Sequence, residues 1–216
     1  MYLVLWGSAA LLAVAYGFHY TFQPPSLWRS LVKTTATALL AVLSFAFSGP
    51  HFLTVALLFG ACGDAFLSLK RSQGFLPGLI AFLLGHLCFV GLFLQSGAGM
   101  EIYADEVWRI IVLALLIAVS VLLSIQLHPH LGAMRIPVYC YQFVILAMGF
   151  SVLLLPGSWP LCLGIIGALM FIASDSILSF ELFIFSEGQS LKRLTSPLLW
   201  CLYWGGQTLI TLAFLL

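Results

Sequence analysis

Leu169-Met170-Phe171-Ile172-Ala173-Ser174-Asp175-Ser176-Ile177-Leu178-Ser179 is an apolar helical run with one acid set inside it. It belongs to a longer apolar stretch, residues 160–183, which at about 1.5 Å per residue outreaches the ~30 Å hydrocarbon core of a bilayer. An ionisable side chain within such a span is costly and by default marks a functional site. The pattern returns once, as Gly63-Asp64-Ala65-Phe66-Leu67-Ser68. Both phrases read small residue, Asp, two variable positions, Leu, Ser.

The rest of the chain has the same character. Of 216 residues, 62% are hydrophobic and 7% charged, and the mean hydropathy is +1.14. A soluble domain carries about 25% charged residues, so a chain this apolar is expected to be integral to a membrane. Candidate spans fall near 2–22, 29–47, 51–69, 75–95, 107–127, 136–155, 160–183 and 197–216. They leave almost nothing for loops. The strict alternation of barrel strands is absent. The fold class expected is therefore an all-α transmembrane bundle of eight helices, with 1–216 a single polytopic domain. The first span lacks a basic leader and a clear small-residue cleavage site, which predicts a retained helix rather than a cleaved signal peptide.

Arg29, Lys33, Lys70, Arg71, Arg135, Lys192 and Arg193 fall on one side of this arrangement. Only Arg109 falls on the other, beside Glu101, Asp105 and Glu106 in what reads as a short solvated loop. The positive-inside rule puts the basic side in the cytoplasm and both termini away from it. Trp6, Trp28, Trp108, Trp159, Trp200 and Trp204 mostly lie near span ends, as interfacial anchors do. Asp64 falls on the third span and Asp175 on the seventh, in the same direction of travel. That supports a reading as two parallel four-helix repeats, 1–98 and 105–216. Pro77 and Gly85-His86 in the fourth span then answer Pro197 and Gly206-Gln207 in the eighth.

Asp64 lies six residues before Lys70, about 9 Å inside the basic edge. Asp175 lies one to two turns from its own basic end, and Lys33, Tyr139 and Tyr141 enter from that side. His86 and Gln207 lie nearer the midplane. A cavity open to the cytoplasmic leaflet would gather these groups. Lys33 either pairs with an aspartate or snorkels to the headgroups. Ser68 and Ser179 each follow an aspartate by four residues, on its face. They are placed to hold the carboxyl group or a water, or to bond their own backbone. Glu181 faces headgroups and water, or meets a cationic lipid headgroup.

Cys62, Cys88, Cys140, Cys162 and Cys201 all fall within spans, with neither metal-type spacing nor a disulfide framework. A net charge of +1 gives no reason to expect nucleic acid. No G-x-S-x-G elbow, H-E-x-x-H pair or phosphate loop occurs. Acid–base chemistry remains. A carboxyl group in an apolar site can carry a proton near neutral pH, while a second one beside a cation stays ionised. Such a pair can pass a substrate through an oxocarbenium-like transition state. A proton-coupled transporter built on an Asp/His relay is the alternative class.

At these residues the chain resembles the YhhN-like lysoplasmalogenase family of eight-span membrane proteins. The resemblance runs through Lys33, Gly63-Asp64 with Leu67, Gly85-His86, Pro137 and Tyr141, then Gly167-Ala168 to Ser174-Asp175 with Leu178, and Tyr203 with Gln207. The chain departs from the family at Lys33-Thr34, where Lys-Pro is frequent, and at Trp204-Gly205-Gly206. The resemblance implies hydrolysis of the vinyl ether of a lysoplasmalogen within the membrane, with no metal or organic cofactor. Asp64, Asp175 and His86 would be catalytic. Lys33, Tyr141, Tyr203, Gln207, Ser68 and Ser179 would position substrate or water. In a bacterium such a protein would lie in the inner membrane.

Overall fold

A computed structural model describes residues 2–69, 71–186 and 190–216, with Arg71 and Ser72 given by backbone alone. Lys70, counted above on the basic side, lies outside the described residues, as does the side chain of Arg71. The described residues are helical throughout: α1 (Tyr2–Phe18), α2 (Leu27–Ala46), α3 (His51–Leu67), α4 (Arg71–Ser96), the single-turn α5 (Ile102–Asp105), α6 (Val107–Leu127), α7 (Arg135–Val152), α8 (Leu161–Phe183) and α9 (Lys192–Leu215).

Six described segments are long and apolar enough to cross a membrane: Tyr2–Phe22, Gln73–Ser96, Val107–His130, Gly132–Val152, Leu161–Phe183 and Lys192–Leu215. α3 is apolar but has 17 residues. α2 has 20 but carries Arg29, Ser30, Lys33, Thr34, Thr35 and Thr37. These are the two expected spans that fall short by length and composition, and both pack between other helices. The chain is an integral, multi-pass membrane protein. Its outer face is apolar, with Leu11, Phe45, Ile111, Leu115, Leu122 and Ile125 all exposed. Its interior holds Asp64, His86, Asp175 and Gln207. That is the inverse of a soluble bundle.

α3 packs along α4, and α8 along α9, more closely than any other pairs. α2 lies between α1 and α3, α7 packs on α4, and α9 closes the ring against α1 and α2. α9 is pinned there by two indoles. Trp200 Nε1 donates to the Ala13 carbonyl at 2.9 Å and Trp204 Nε1 to that of Ala36 at 3.2 Å. Trp200, expected at a span end as an interfacial anchor, is thus buried in the bundle. α7 meets α8 only sparingly, and α6 lies outside that seam. α4 and α9 begin before their prolines, so Pro77 and Pro197 are inside helices rather than at their first residues. Each withholds one backbone donor near the basic end.

The α8–α9 contact depends on two glycines. A Cβ on Gly167 would sit 2.6 Å from the Gly206 carbonyl oxygen, and one on Gly206 equally close to that of Gly167. The backbones touch, so neither position admits a side chain without parting the helices. Gly167→Ala is expected to destabilise the detergent-solubilised protein by about 1–3 kcal/mol, read as a lower thermal midpoint. An unchanged midpoint would show that this contact can open freely.

Arg109 is not on a solvated surface as the sequence suggested. It is fully buried, because it caps the frayed end of α7. Nη1 donates to the carbonyls of Leu153 and Leu155 at 2.6 and 2.8 Å. Nε and Nη2 donate to Glu106 Oε2 at 3.2 and 3.1 Å. Orphan carbonyls at a helix end need such donors.

Candidate active site

Six helices each contribute polar or aromatic side chains to one level of the interior: Lys33 and Thr37 from α2, Asp64 from α3, Phe82 and His86 from α4, Tyr141 from α7, Phe171 and Asp175 from α8, and Tyr203 and Gln207 from α9. The two carboxylates have different surroundings. Asp64 is saturated. Lys33 Nζ stands 2.8 Å from its Oδ1, while the hydroxyls of Thr37 and Tyr203 donate to its Oδ2 at 3.0 and 2.9 Å. Lys33 does not snorkel away. Its ammonium also lies 5.5 Å from the centre of the Tyr203 ring and 5.9 Å from that of Trp200, within reach of cation–π attraction.

Asp175 is less encumbered. The Tyr141 hydroxyl donates to its Oδ2 at 2.5 Å, and His86 Nε2 stands 3.3 Å from the same oxygen. His86 Nδ1 lies 2.8 Å from the Phe82 carbonyl. A carbonyl can only accept, so the Nδ1 hydrogen is committed there. Any proton that His86 exchanges must pass through Nε2, on the Asp175 side. Nε2 is buried and has no aligned hydrogen bond. Phe171 packs against the ring at 4.7 Å and Tyr141 edge-on at 5.4 Å, which holds it in place.

Gln207 is buried, and among the described residues neither atom of its amide has a hydrogen-bond partner. It lies with the Tyr203 hydroxyl over Gly60, where a Cβ would meet Oε1 at 3.3 Å and the hydroxyl at 3.5 Å. Gly60 thus leaves room for both. Ser68 and Ser179 turn to their own backbone instead of the carboxylates. Ser68 donates to the Asp64 carbonyl at 2.8 Å and Ser179 to that of Ser176 at 2.7 Å. Tyr139 leaves the site altogether and pairs with His128 Nδ1 at 2.7 Å. Among the described residues no three His, Cys, Asp or Glu side chains gather as a metal set would require.

Two cavities reach these groups. A polar vestibule of about 910 Å³ is lined by Tyr16, Arg29, Glu181 and Ser196 and ends on the Lys33–Asp64 pair. An apolar groove of about 580 Å³ lies between α6, α7 and α8 and ends on Asp175 and Tyr141. Beyond His86 the interior is filled by Phe89, Leu92, Phe93 and Met148.

The sequence matches the YhhN family over residues 28–214, which include Lys33, Asp64, His86, Tyr141, Asp175, Tyr203 and Gln207. The chain belongs to that family. Two relatives, from Mycobacterium bovis and Mycobacterium tuberculosis, are each named lysoplasmalogenase. Each is 31% identical over 228 aligned positions, covering 97% of this chain and 83% of the relative. No solved structure matches.

Within this YhhN chain, sequence reasoning passed over Thr37, which completes the Asp64 cradle. Its signal was its place four residues after Lys33, on the same face of α2. Phe82 and Phe171 also went unremarked, because aromatic residues are everywhere in an apolar chain.

Proposed function

We propose that this protein hydrolyses the vinyl ether of lysoplasmalogens, releasing a fatty aldehyde and glycerophosphoethanolamine or glycerophosphocholine. The observation that carries the reading is the contrast between the carboxylates. Asp64 faces an ammonium and two hydroxyls, whereas Asp175 stands beside His86 at the inner end of an apolar groove. One is suited to remain a fixed negative charge and the other to deliver a proton. The name borne by the two mycobacterial relatives supports the same substrate.

In the proposed reaction Asp175 gives its proton to the vinyl carbon distal to the ether oxygen. The carbon bearing oxygen becomes an oxocarbenium centre, stabilised by the Asp64 carboxylate. Water adds to that carbon and gives up a proton through His86 Nε2 to Asp175. The hemiacetal then breaks its bond to the glycerol oxygen, which takes up a proton as the aldehyde forms. The amide of Gln207 and the Tyr203 hydroxyl are suited to hold the water or the ether oxygen. Ser68 and Ser179 line the two cavities and shape them. The alkenyl chain would leave through the loose α7–α8 seam into the groove beneath α6, and the headgroup would occupy the vestibule.

Orientation by the positive-inside rule would make that vestibule open to the cytoplasmic leaflet, in a bacterium that of the inner membrane. The reading as eight spans in two parallel repeats, 1–98 and 105–216, is supported by the matched tight pairs α3–α4 and α8–α9. A proton-coupled carrier would need a path continuing past His86, where four large apolar side chains are packed.

Purified protein given a lysoplasmalogen should release fatty aldehyde, and the ester-linked lysophospholipid of the same chain should survive. Equal hydrolysis of both would sink the vinyl-ether reading.

A further inference from the structure

Glu181 has no role in the chemistry above, yet it lines the vestibule together with Arg29, a charge of opposite sign. Its carboxylate is held from one side by the first turns of α9: Thr195 donates to Oε1, and the Ser196 hydroxyl lies 2.9 and 3.1 Å from Oε1 and Oε2. Among the described residues no lysine or arginine pairs with it. Arg29 lines the same cavity, with Nη1 turned to the Gln23 carbonyl at 2.9 Å, its guanidinium 6.0 Å from the centre of the Tyr16 ring, and its remaining donors without a hydrogen-bond partner among the described residues. The cavity therefore offers a fixed anion and a guanidinium in its lining and the Lys33–Asp64 pair at its base.

We propose that Glu181 and Arg29 form a zwitterion seat, in which Arg29 takes the phosphodiester and Glu181 the cationic amine of the lysolipid headgroup. This rests on the vinyl-ether reading and specifies how the substrate's polar end is recognised. The spacing agrees. Glu181 lies six residues beyond Asp175 on α8, about 9 Å along the axis. About nine bonds of roughly 1.5 Å separate the ether oxygen of such a lipid from its nitrogen, on the order of 10 Å end to end. Leu178, one turn from Asp175 on α8, lines the same vestibule as Glu181. A guanidinium suits phosphate through its fork of donors. A carboxylate already oriented by two hydroxyls loses little side-chain freedom on meeting an ammonium.

The test compares full-length wild type, Glu181→Gln and Arg29→Gln on two vinyl ethers of the same chain, one with a choline headgroup and one ending in a bare phosphate. Glu181→Gln should lower the choline-to-phosphate ratio of kcat/KM about tenfold, through KM. Arg29→Gln should weaken both substrates and leave the ratio near that of wild type. Glu181→Asp should recover part of the ratio. A Glu181→Gln ratio equal to wild type, or a loss shared equally by both substrates, would overturn the seat. A binding measurement is independent of the chemistry. Glycerophosphocholine should raise the thermal midpoint of wild type and not of Glu181→Gln. That shift survives even if no vinyl ether is cut, whereas equal shifts in both proteins would overturn the seat with hydrolysis intact.

Discussion

Asp175→Asn is expected to lower kcat on a lysoplasmalogen by about 10³-fold, within the 10²–10⁴ range of a lost general acid. The thermal midpoint should hardly move, because an asparagine keeps the shape and its carbonyl can still accept from Tyr141. The loss would fall on kcat rather than KM, since the carboxyl group acts on the vinyl carbon and not on the headgroup. His86→Gln should follow the same trend with a smaller effect, as it removes the proton's second station but leaves the donor. Full activity in the Asp175→Asn protein would end the proposed mechanism, whatever the fate of the substrate assignment.

Lys33→Met is expected to be the most destabilising change at the site, by about 3–5 kcal/mol, because it strands a buried carboxylate. Asp64 would keep Thr37 and Tyr203 but lose the ammonium paired with it. The double variant Lys33→Met/Asp64→Asn should regain most of that stability, since no charge is then left unpaired. It should not regain activity, because the oxocarbenium centre has lost its counter-charge. Thermal midpoints of the two single variants and the double one, with aldehyde release from each, check both statements. A double variant as unstable as Lys33→Met would show that the unpaired carboxylate is not the source of the loss.

The helical fold and the polar pair at its centre were legible because a bilayer leaves few ambiguities. A run such as 160–183 has one stable conformation in lipid, and an acid within it must be accounted for. Lys33, His86, Tyr141 and Gln207 stood out as polar groups set within apolar spans, whereas Tyr203 entered only through the family resemblance. What escaped was direction. The four-residue spacing put Ser68 and Ser179 on the faces of their aspartates, but a hydroxyl four residues along a helix can bond a backbone carbonyl as readily as a carboxylate. Arg109 beside three acids reads as surface, and only the uncapped carbonyls of Leu153 and Leu155, more than forty residues away, explain its burial. Such partners are set by which helix ends meet, and no local pattern reports that.

The partners of the two aspartates have one further property, their order along the chain. Lys33 and Thr37 precede Asp64, while His86 and Tyr141 precede Asp175. During synthesis each acid therefore reaches the bilayer after a helix that can receive it. Neither has to wait in lipid for a partner still on the ribosome. Tyr203, on α9, then closes over a carboxylate that already faces an ammonium, so the candidate site is completed only when α9 arrives.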